Sequence, residues 1–160
     1  HRPTADPPMP DRRECLARSA ALAAALAGFG LLPVKARAAW QQAAFEAKGL
    51  AEVVKALGGS APAPSKEVSI TGPDIAENGA AVQVGFGSSL AGVKRLALLV
   101  DKNPFNLVAV FDIGEAVAAA GLSTRIKMAE SSNVYAVAFT GDGRVLYAVR
   151  EIRVTLGGCG

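Results

Sequence analysis

The stretch VTLGGCG places Cys159 directly after Gly157-Gly158 and before Gly160. A thiolate is a nucleophile, so a chemical group can be held covalently on its sulfur. Glycine has no side chain and a wide φ/ψ range, and residues 157–160 therefore read as a thin, flexible arm built from Gly157, Gly158 and Gly160 around the thiol. Four extended residues reach at most about 13–14 Å, and a tail this slender can enter a narrow channel closed to a bulkier one. Nothing in the sequence activates the sulfur. The nearest basic residue is Arg153, no helix N-terminus is predicted beside the thiol, and a carboxylate following Gly160 would disfavour the thiolate. Cys159 is expected to stay mostly protonated until a partner activates it, which is how a carrier behaves, not an enzyme.

Other chemistries lack their residues. The chain has two cysteines, Cys15 and Cys159, and one histidine, His1. Cys15 and His1 both fall in a segment that reads as removable, so no Ser-His-Asp triad, Cys-His pair or histidine metal site can be assembled without it. A self-sufficient thiol oxidoreductase needs a second cysteine to resolve a mixed disulfide. A prenylation box needs its cysteine fourth from the end, whereas Cys159 is second. One soft donor does not make a metal site, and no cofactor is expected. Two rival uses of Cys159 remain: an incidental residue on a frayed terminus, or an intermolecular disulfide in an exported structural or adhesion module. The run STRIKM sets Arg125 and Lys127 against Ile126 and Met128, which reads more simply as the wet face of a strand than as a basic functional patch and leaves open a part in a partner interface.

The removable segment is residues 1–38, an N-terminal extension and export signal. Arg12-Arg13 precede a mildly apolar run from Ala20 to Val34, and Ala36-Arg37-Ala38 offers a small-x-small cleavage pattern. The run is 15 residues long and is broken by Pro33, short of the roughly 20 apolar residues of a membrane span. Paired arginines with weak hydrophobicity resemble a twin-arginine signal, with Cys15 where phenylalanine is commoner. His1–Pro8 precede the first methionine, which makes Met9 a candidate start. The net charge of +3 resides in this segment, with six Lys/Arg against three acids; the other 122 residues carry eleven of each sign. The remainder is formally neutral and gives no electrostatic support to a nucleic-acid or anionic-membrane partner.

Residues 39–66 read as a helix and linker. Trp40, Ala43, Ala47, Leu50, Val54 and Leu57 make one helical stripe, stopped by Gly58-Gly59, and SAPAPSK follows as a semi-extended connection. Residues 67–156 change to period two and read as a β-sandwich domain. EVSIT is a first strand, and Asn78-Gly79 marks a turn before AAVQVGF, with Val82, Val84 and Phe86 on one face. RLALLV and NLVAVFDI read as central strands around the turn Asn103-Pro104. Gly114 to Gly121 is an Ala-rich loop or helical turn. STRIKMA and NVYAVAFT follow, and Gly141-Asp142-Gly143 turns the chain into RVLYAVREIRVTL. In that last run the apolar phase shifts by one residue near Arg150, which predicts a bulge or a change of neighbouring strand. About seven short strands with few helices predict an all-β, immunoglobulin-like antiparallel sandwich with an N-terminal helix and a flexible C-terminal Gly-Gly-Cys arm.

Four segments carry a family resemblance: AENGA, LAGVKRLALLVDKNP, STRIKMAESSNV and the final VTLGGCG. From about Ile75 onward the chain resembles SoxY, the sulfur-carrier subunit of bacterial thiosulfate oxidation. The resemblance implies an immunoglobulin-like sandwich paired with a SoxZ-like subunit in a periplasmic heterodimer, with Cys159 carrying the substrate covalently. It further implies a SoxXA-like cytochrome that couples thiosulfate to the thiol, a SoxB-like hydrolase that releases sulfate, and a SoxCD-like dehydrogenase that oxidises the remaining sulfur. Metals and haems would belong to those enzymes. The family pattern is Gly-Gly-Cys-Gly-Gly, whereas here one glycine follows the cysteine, the expectation being either a clipped sequence or a shorter arm.

Overall fold

The computed structural model describes residues 42–114 and 119–158. The signal segment 1–38, Trp40, residues 115–118 of the Gly114–Gly121 stretch, Cys159 and Gly160 lie outside the described residues. Among the described residues nine strands follow the helix Gly49–Ala56, two strands more than expected. They are β1 (Ala63–Pro64), β2 (Val68–Thr71), β3 (Ile75–Asn78), β4 (Val82–Ser88), β5 (Val93–Val100), β6 (Leu107–Asp112), β7 (Leu122–Ile126), β8 (Ser132–Thr140) and β9 (Val145–Leu156). The larger sheet runs β1-β9-β8-β5-β6, with β3 also paired to β9, and the smaller runs β2-β4-β7. The pairings among β9, β8, β5 and β6, and among β2, β4 and β7, are antiparallel. This is the expected immunoglobulin-like sandwich. The two additional strands, β1 and β3, are short and run parallel to β9.

Alternation decides the core. Val82, Val84 and Phe86 of β4 point inward together, as their spacing predicts, and meet Leu96, Leu98 and Val100 of β5 and Val134, Ala136 and Ala138 of β8. Phe86 and Phe111 rings lie 5.1 Å apart across the layers. The intervening residues of β5 and β8 are also buried, because the helix covers the outer face of the larger sheet. Ala97, Leu99 and Val137 pack there against Val53, Val54 and Leu57. A strand buried on both faces reads as a continuous apolar run, which is why RLALLV was legible as central; NLVAVFDI, expected to be central as well, is instead β6 at the edge of the larger sheet, paired with β5.

Three expectations need correction. The helical stripe is not one helix: residues 42–46 are helical, Lys48 is extended, and the helix restarts at Gly49–Ala56. Gly49 has φ +78°, a left-handed conformation that interrupts helical winding and that glycine adopts without a Cβ clash. Gly58 ends the helix as expected: its N–H donates to Lys55 O at 3.0 Å while Gly59 N–H donates to Val54 O at 2.9 Å, a Schellman pairing. The SAPAPSK segment is extended, yet it is bound along the sheet edge, with Ala63 and Pro64 paired to Leu146 and Tyr147.

The third correction concerns β9. Its pairing with β8 runs unshifted from Val145↔Phe139 to Ile152↔Ser132, so there is no bulge at Arg150. Val145 and Tyr147 face the helix, whereas Leu146, Ala148, Ile152 and Val154 face the sandwich core. Arg150 keeps the inward phase and reaches out to Asp74 through Nη2 at 2.7 Å. The apparent slip is two apolar faces taking turns in one sequence. The neighbouring strand does change, from β1 at Leu146–Tyr147 to β3 at Arg153–Leu156.

Candidate functional site: the root of the C-terminal arm

The last strand outlasts its main partner. Beyond Ile152, β9 leaves β8 and is held from both sides. On one side β3 pairs in parallel, with Ile75, Ala76 and Asn78 opposite Arg153, Val154 and Leu156. Thr155 Oγ1 donates to Glu77 O at 3.0 Å on the same side. On the other side Val154 N–H donates to Ser131 Oγ at 2.9 Å, and Gly158 N–H donates to Met128 O at 2.9 Å.

Gly79 closes the two sides on each other. Its N–H donates to Leu156 O at 2.8 Å, and its carbonyl accepts the Met128 N–H at 2.7 Å. The Asn78 side chain shapes this turn by accepting Ala80 N–H at 2.8 Å. A Cβ on Gly79 would strike the Met128 carbonyl, and one on Gly157 would strike the Ala129 carbonyl. On Gly158 it would lie 2.8 Å from Ala80 N and from Gly79 C and O. None of the three has a positive φ. These glycines are small so that backbones can touch.

Gly157 and Gly158, expected to be a pliable tether, are thus a close-packed stem, with Gly158 buried. The physical reason is the Gly158–Met128 main-chain bond together with the close approach of Gly157 to the Ala129 carbonyl and of Gly158 to the Gly79-Ala80 backbone, which the side-chain sequence does not display. Cys159 and Gly160, the other two residues of the expected arm, lie outside the described residues.

The far wall is built by the loop between β5 and β6. Asn103 Nδ2 donates to Lys127 O at 2.8 Å, and its Oδ1 accepts Ala129 N–H at 2.9 Å. Asn106, 3% exposed, holds that loop in shape by donating from Nδ2 to Asp101 O at 2.9 Å and Asn103 O at 3.0 Å. Its Oδ1 accepts Gly49 N–H at 2.6 Å, which joins the loop to the start of the helix. Asp101 accepts the Asn133 backbone and side-chain N–H groups at 2.9 and 3.0 Å. The hydroxyl of nearby Tyr135 is pushed above its ordinary pKa, by burial first and then by the negative charge of Asp101. The sequence shows Asn103-Pro104 only as a turn, and Asn106, Ser131 and Gly79 carry no chemical signature. A cluster of short polar residues in DKNPFN is the one hint of a side-chain-braced loop.

Among the described residues there is no histidine, no cysteine and no group of three metal-ligating side chains. Arg125 and Lys127 are exposed on and just past β7, the wet face expected of them. What the root offers is placement. The fold and this root together define an immunoglobulin-like scaffold that anchors the stem of its own C-terminal segment and surrounds it with main-chain bonds. Residues 53–159 match the family described as sulfur oxidation protein SoxY. The chain belongs to the SoxY family.

Among solved structures, the sulfur carrier protein SoxY from Chlorobium limicola f thiosulfatophilum is 31% identical, with a TM-score of 0.56 over 65% of this chain and 93% of that one. A superoxide reductase (neelaredoxin) from Ignicoccus hospitalis is 18% identical, with a TM-score of 0.48 over 54% of this chain and 79% of that one; a likeness of that size carries no functional implication. No curated protein sequence gives a significant match. SoxY is a sulfur carrier acting with partner enzymes and is not itself a catalyst. Parts of the four segments that carried the resemblance meet at the root: Asn78-Gly79 of AENGA, Asn103 of LAGVKRLALLVDKNP, Lys127–Ser131 of STRIKMAESSNV and Leu156–Gly158 of VTLGGCG.

Proposed function

We propose that this chain is a sulfur carrier whose Cys159 holds thiosulfate-derived groups covalently and presents them to other enzymes. One observation carries the reading: the SoxY match runs through residue 159, the one cysteine of the matched stretch, across the whole root that anchors Gly157 and Gly158. The chemistry balances with partners supplying what the carrier lacks. The thiol and thiosulfate join through a new S–S bond, releasing one proton and two electrons to a SoxXA-like cytochrome. Water then attacks the terminal sulfone sulfur under a SoxB-like hydrolase, and sulfate leaves with two protons while a persulfide stays on Cys159. A SoxCD-like dehydrogenase would oxidise that sulfane sulfur to a sulfonate, taking its three oxygens from water and passing six electrons to an electron acceptor of its own with release of six protons, ready for the next hydrolytic release.

A SoxZ-like subunit is the proposed heterodimer partner. The periplasm is the proposed compartment, supported by Arg12-Arg13 and the Ala36-Arg37-Ala38 pattern. No helix among the described residues is long and apolar enough to cross a membrane. The test is intact and peptide mass spectrometry of protein from cells oxidising thiosulfate, before and after a thiol reductant. A reducible sulfur adduct on the Cys159 peptide is expected. Its absence in actively oxidising cells overturns the carrier reading, and a stoichiometric Cys159 disulfide indifferent to the sulfur supplied would favour a structural cross-link.

A further inference from the structure

We infer that Asn103 is the positioning residue that sets where the arm leaves the sandwich. The carrier role of the arm rests on the reading above; the position of its root does not. Residues 127–131 lie between β7, which stops at Ile126, and β8, which starts at Ser132. Their main-chain groups therefore have no strand of their own sheet to pair with, although buried peptide groups need partners. In an extended chain successive residues turn their N–H and C=O groups to opposite edges. The Asn103 amide takes one edge, bonding Lys127 O and Ala129 N–H with a single side chain. This is the pairing a neighbouring peptide would supply.

With residues 127 and 129 fixed on that edge, Met128 must present its N–H and C=O to the other. There they meet Gly79 O and Gly158 N–H at 2.7 and 2.9 Å. Cys159 follows Gly158 directly, so its Cα lies about 3.8 Å from that of Gly158. Asn103 is itself rigidly held. Its N–H donates to Val100 O at 3.3 Å, and its carbonyl accepts Asn106 Nδ2–H. Met128, at 0% exposure, is rooted in the core. The side chain that decides where the thiol emerges thus stands 56 residues before it in sequence.

The test is amide hydrogen exchange at Gly158 in the full chain, resolved by NMR, for Asn103→Ala and Asn103→Asp. In Asn103→Ala, Gly158 protection should fall about tenfold or more, while Leu98 and Ala136 in the central strands keep theirs. Alkylation of Cys159, followed on its own peptide to separate it from Cys15, should change in the same variant. Asn103→Asp adds a readout that a merely structural role would not move. An ionised Asp cannot donate to Lys127 O, but a protonated one can. Protection at Gly158 should be lost near neutral pH and partly return below about pH 4, relative to the unmodified chain at each pH. Unchanged protection at Gly158 in both variants overturns the proposal. So does a loss shared equally with Leu98 and Ala136. Neither result depends on whether Cys159 carries sulfur, so the two readings fail separately.

Discussion

The amide of Gly158 donates to the carbonyl of Met128 at 2.9 Å, so two residues past the end of β9 the main chain is still tied to the sandwich. Any swing available to Cys159 begins at or after that bond, unless the bond itself opens. The geometry of the root depends on three glycines, Gly79, Gly157 and Gly158, whose surroundings leave no room for a Cβ.

Gly79→Ala should therefore be the most disruptive single methyl in the root. The added carbon collides with the Met128 carbonyl and crowds Gly158 N, and neither is the free end of a flexible side chain. Backbone must shift, at a cost of about 1–3 kcal/mol. Urea unfolding should show that loss, and Gly92→Ala should serve as the contrasting case. Space is open at Gly92, and only its φ of +76° opposes the substitution, so Gly92→Ala should leave Cys159 alkylation unchanged while Gly79→Ala alters it.

Asn106→Ala tests the brace behind the root. The side chain is buried and serves three carbonyls and the Gly49 N–H. Removing it leaves several polar groups without partners, and a loss of about 2–3 kcal/mol is expected. Chemical denaturation measures it. A loss below 0.5 kcal/mol, the usual range for an ordinary surface change, would show that water replaces the amide there.

Much of the sandwich was legible because one strand face was wet and the other dry. Val82, Val84 and Phe86 announce themselves by alternation, whereas their register with β7 comes from the structure alone. β9 misled because helix and small sheet cover opposite faces of the same strand, so Val145–Val149 and Ile152–Leu156 appeared to slip. The helix break was hidden in the apolar stripe, although Gly49 marked it. The root was legible in pieces only. Its four segments stood out by resemblance, yet what joins them is peptide N–H and C=O, which every residue has. Gly157 and Gly158 illustrate the limit. A glycine needed for close approach and a glycine needed for flexibility are the same letter, and the distinction lies in Ala129, Gly79 and Ala80, far away in sequence.

The β8–β9 hairpin should carry an acid-sensitive latch. Thr140 Oγ1 donates to the Asp142 carboxylate, and Arg144 Nε adds an ion pair at 2.9 Å. The Thr140 hydrogen bond, followed by those from Arg144, holds the Asp142 pKa below its ordinary value of 3.8. A carboxyl with a lowered folded-state pKa stabilises the fold above its unfolded value and loses that contribution as pH falls through the folded one. Amide protection at Arg144 should thus hold from neutrality to about pH 4 and drop below it. Asp142→Asn should flatten this dependence, and an unchanged acid profile in that variant would assign it to other groups.

Cys159→Ser separates scaffold from cargo. The described contacts of the root end at Gly158, and each is made by main chain or by Asn103, Ser131, Thr155 and Asn78, so exchanging sulfur for oxygen one residue later removes none of them. Thermal unfolding should superimpose on that of the unsubstituted chain, and Gly158 should keep its exchange protection. Every reducible sulfur adduct on the C-terminal peptide should disappear, because a hydroxyl does not form the S–S bond that thiosulfate coupling requires. A marked fall in the melting temperature would show that the thiol itself packs into the fold, and a surviving adduct on that peptide would remove Cys159 from the chemistry altogether.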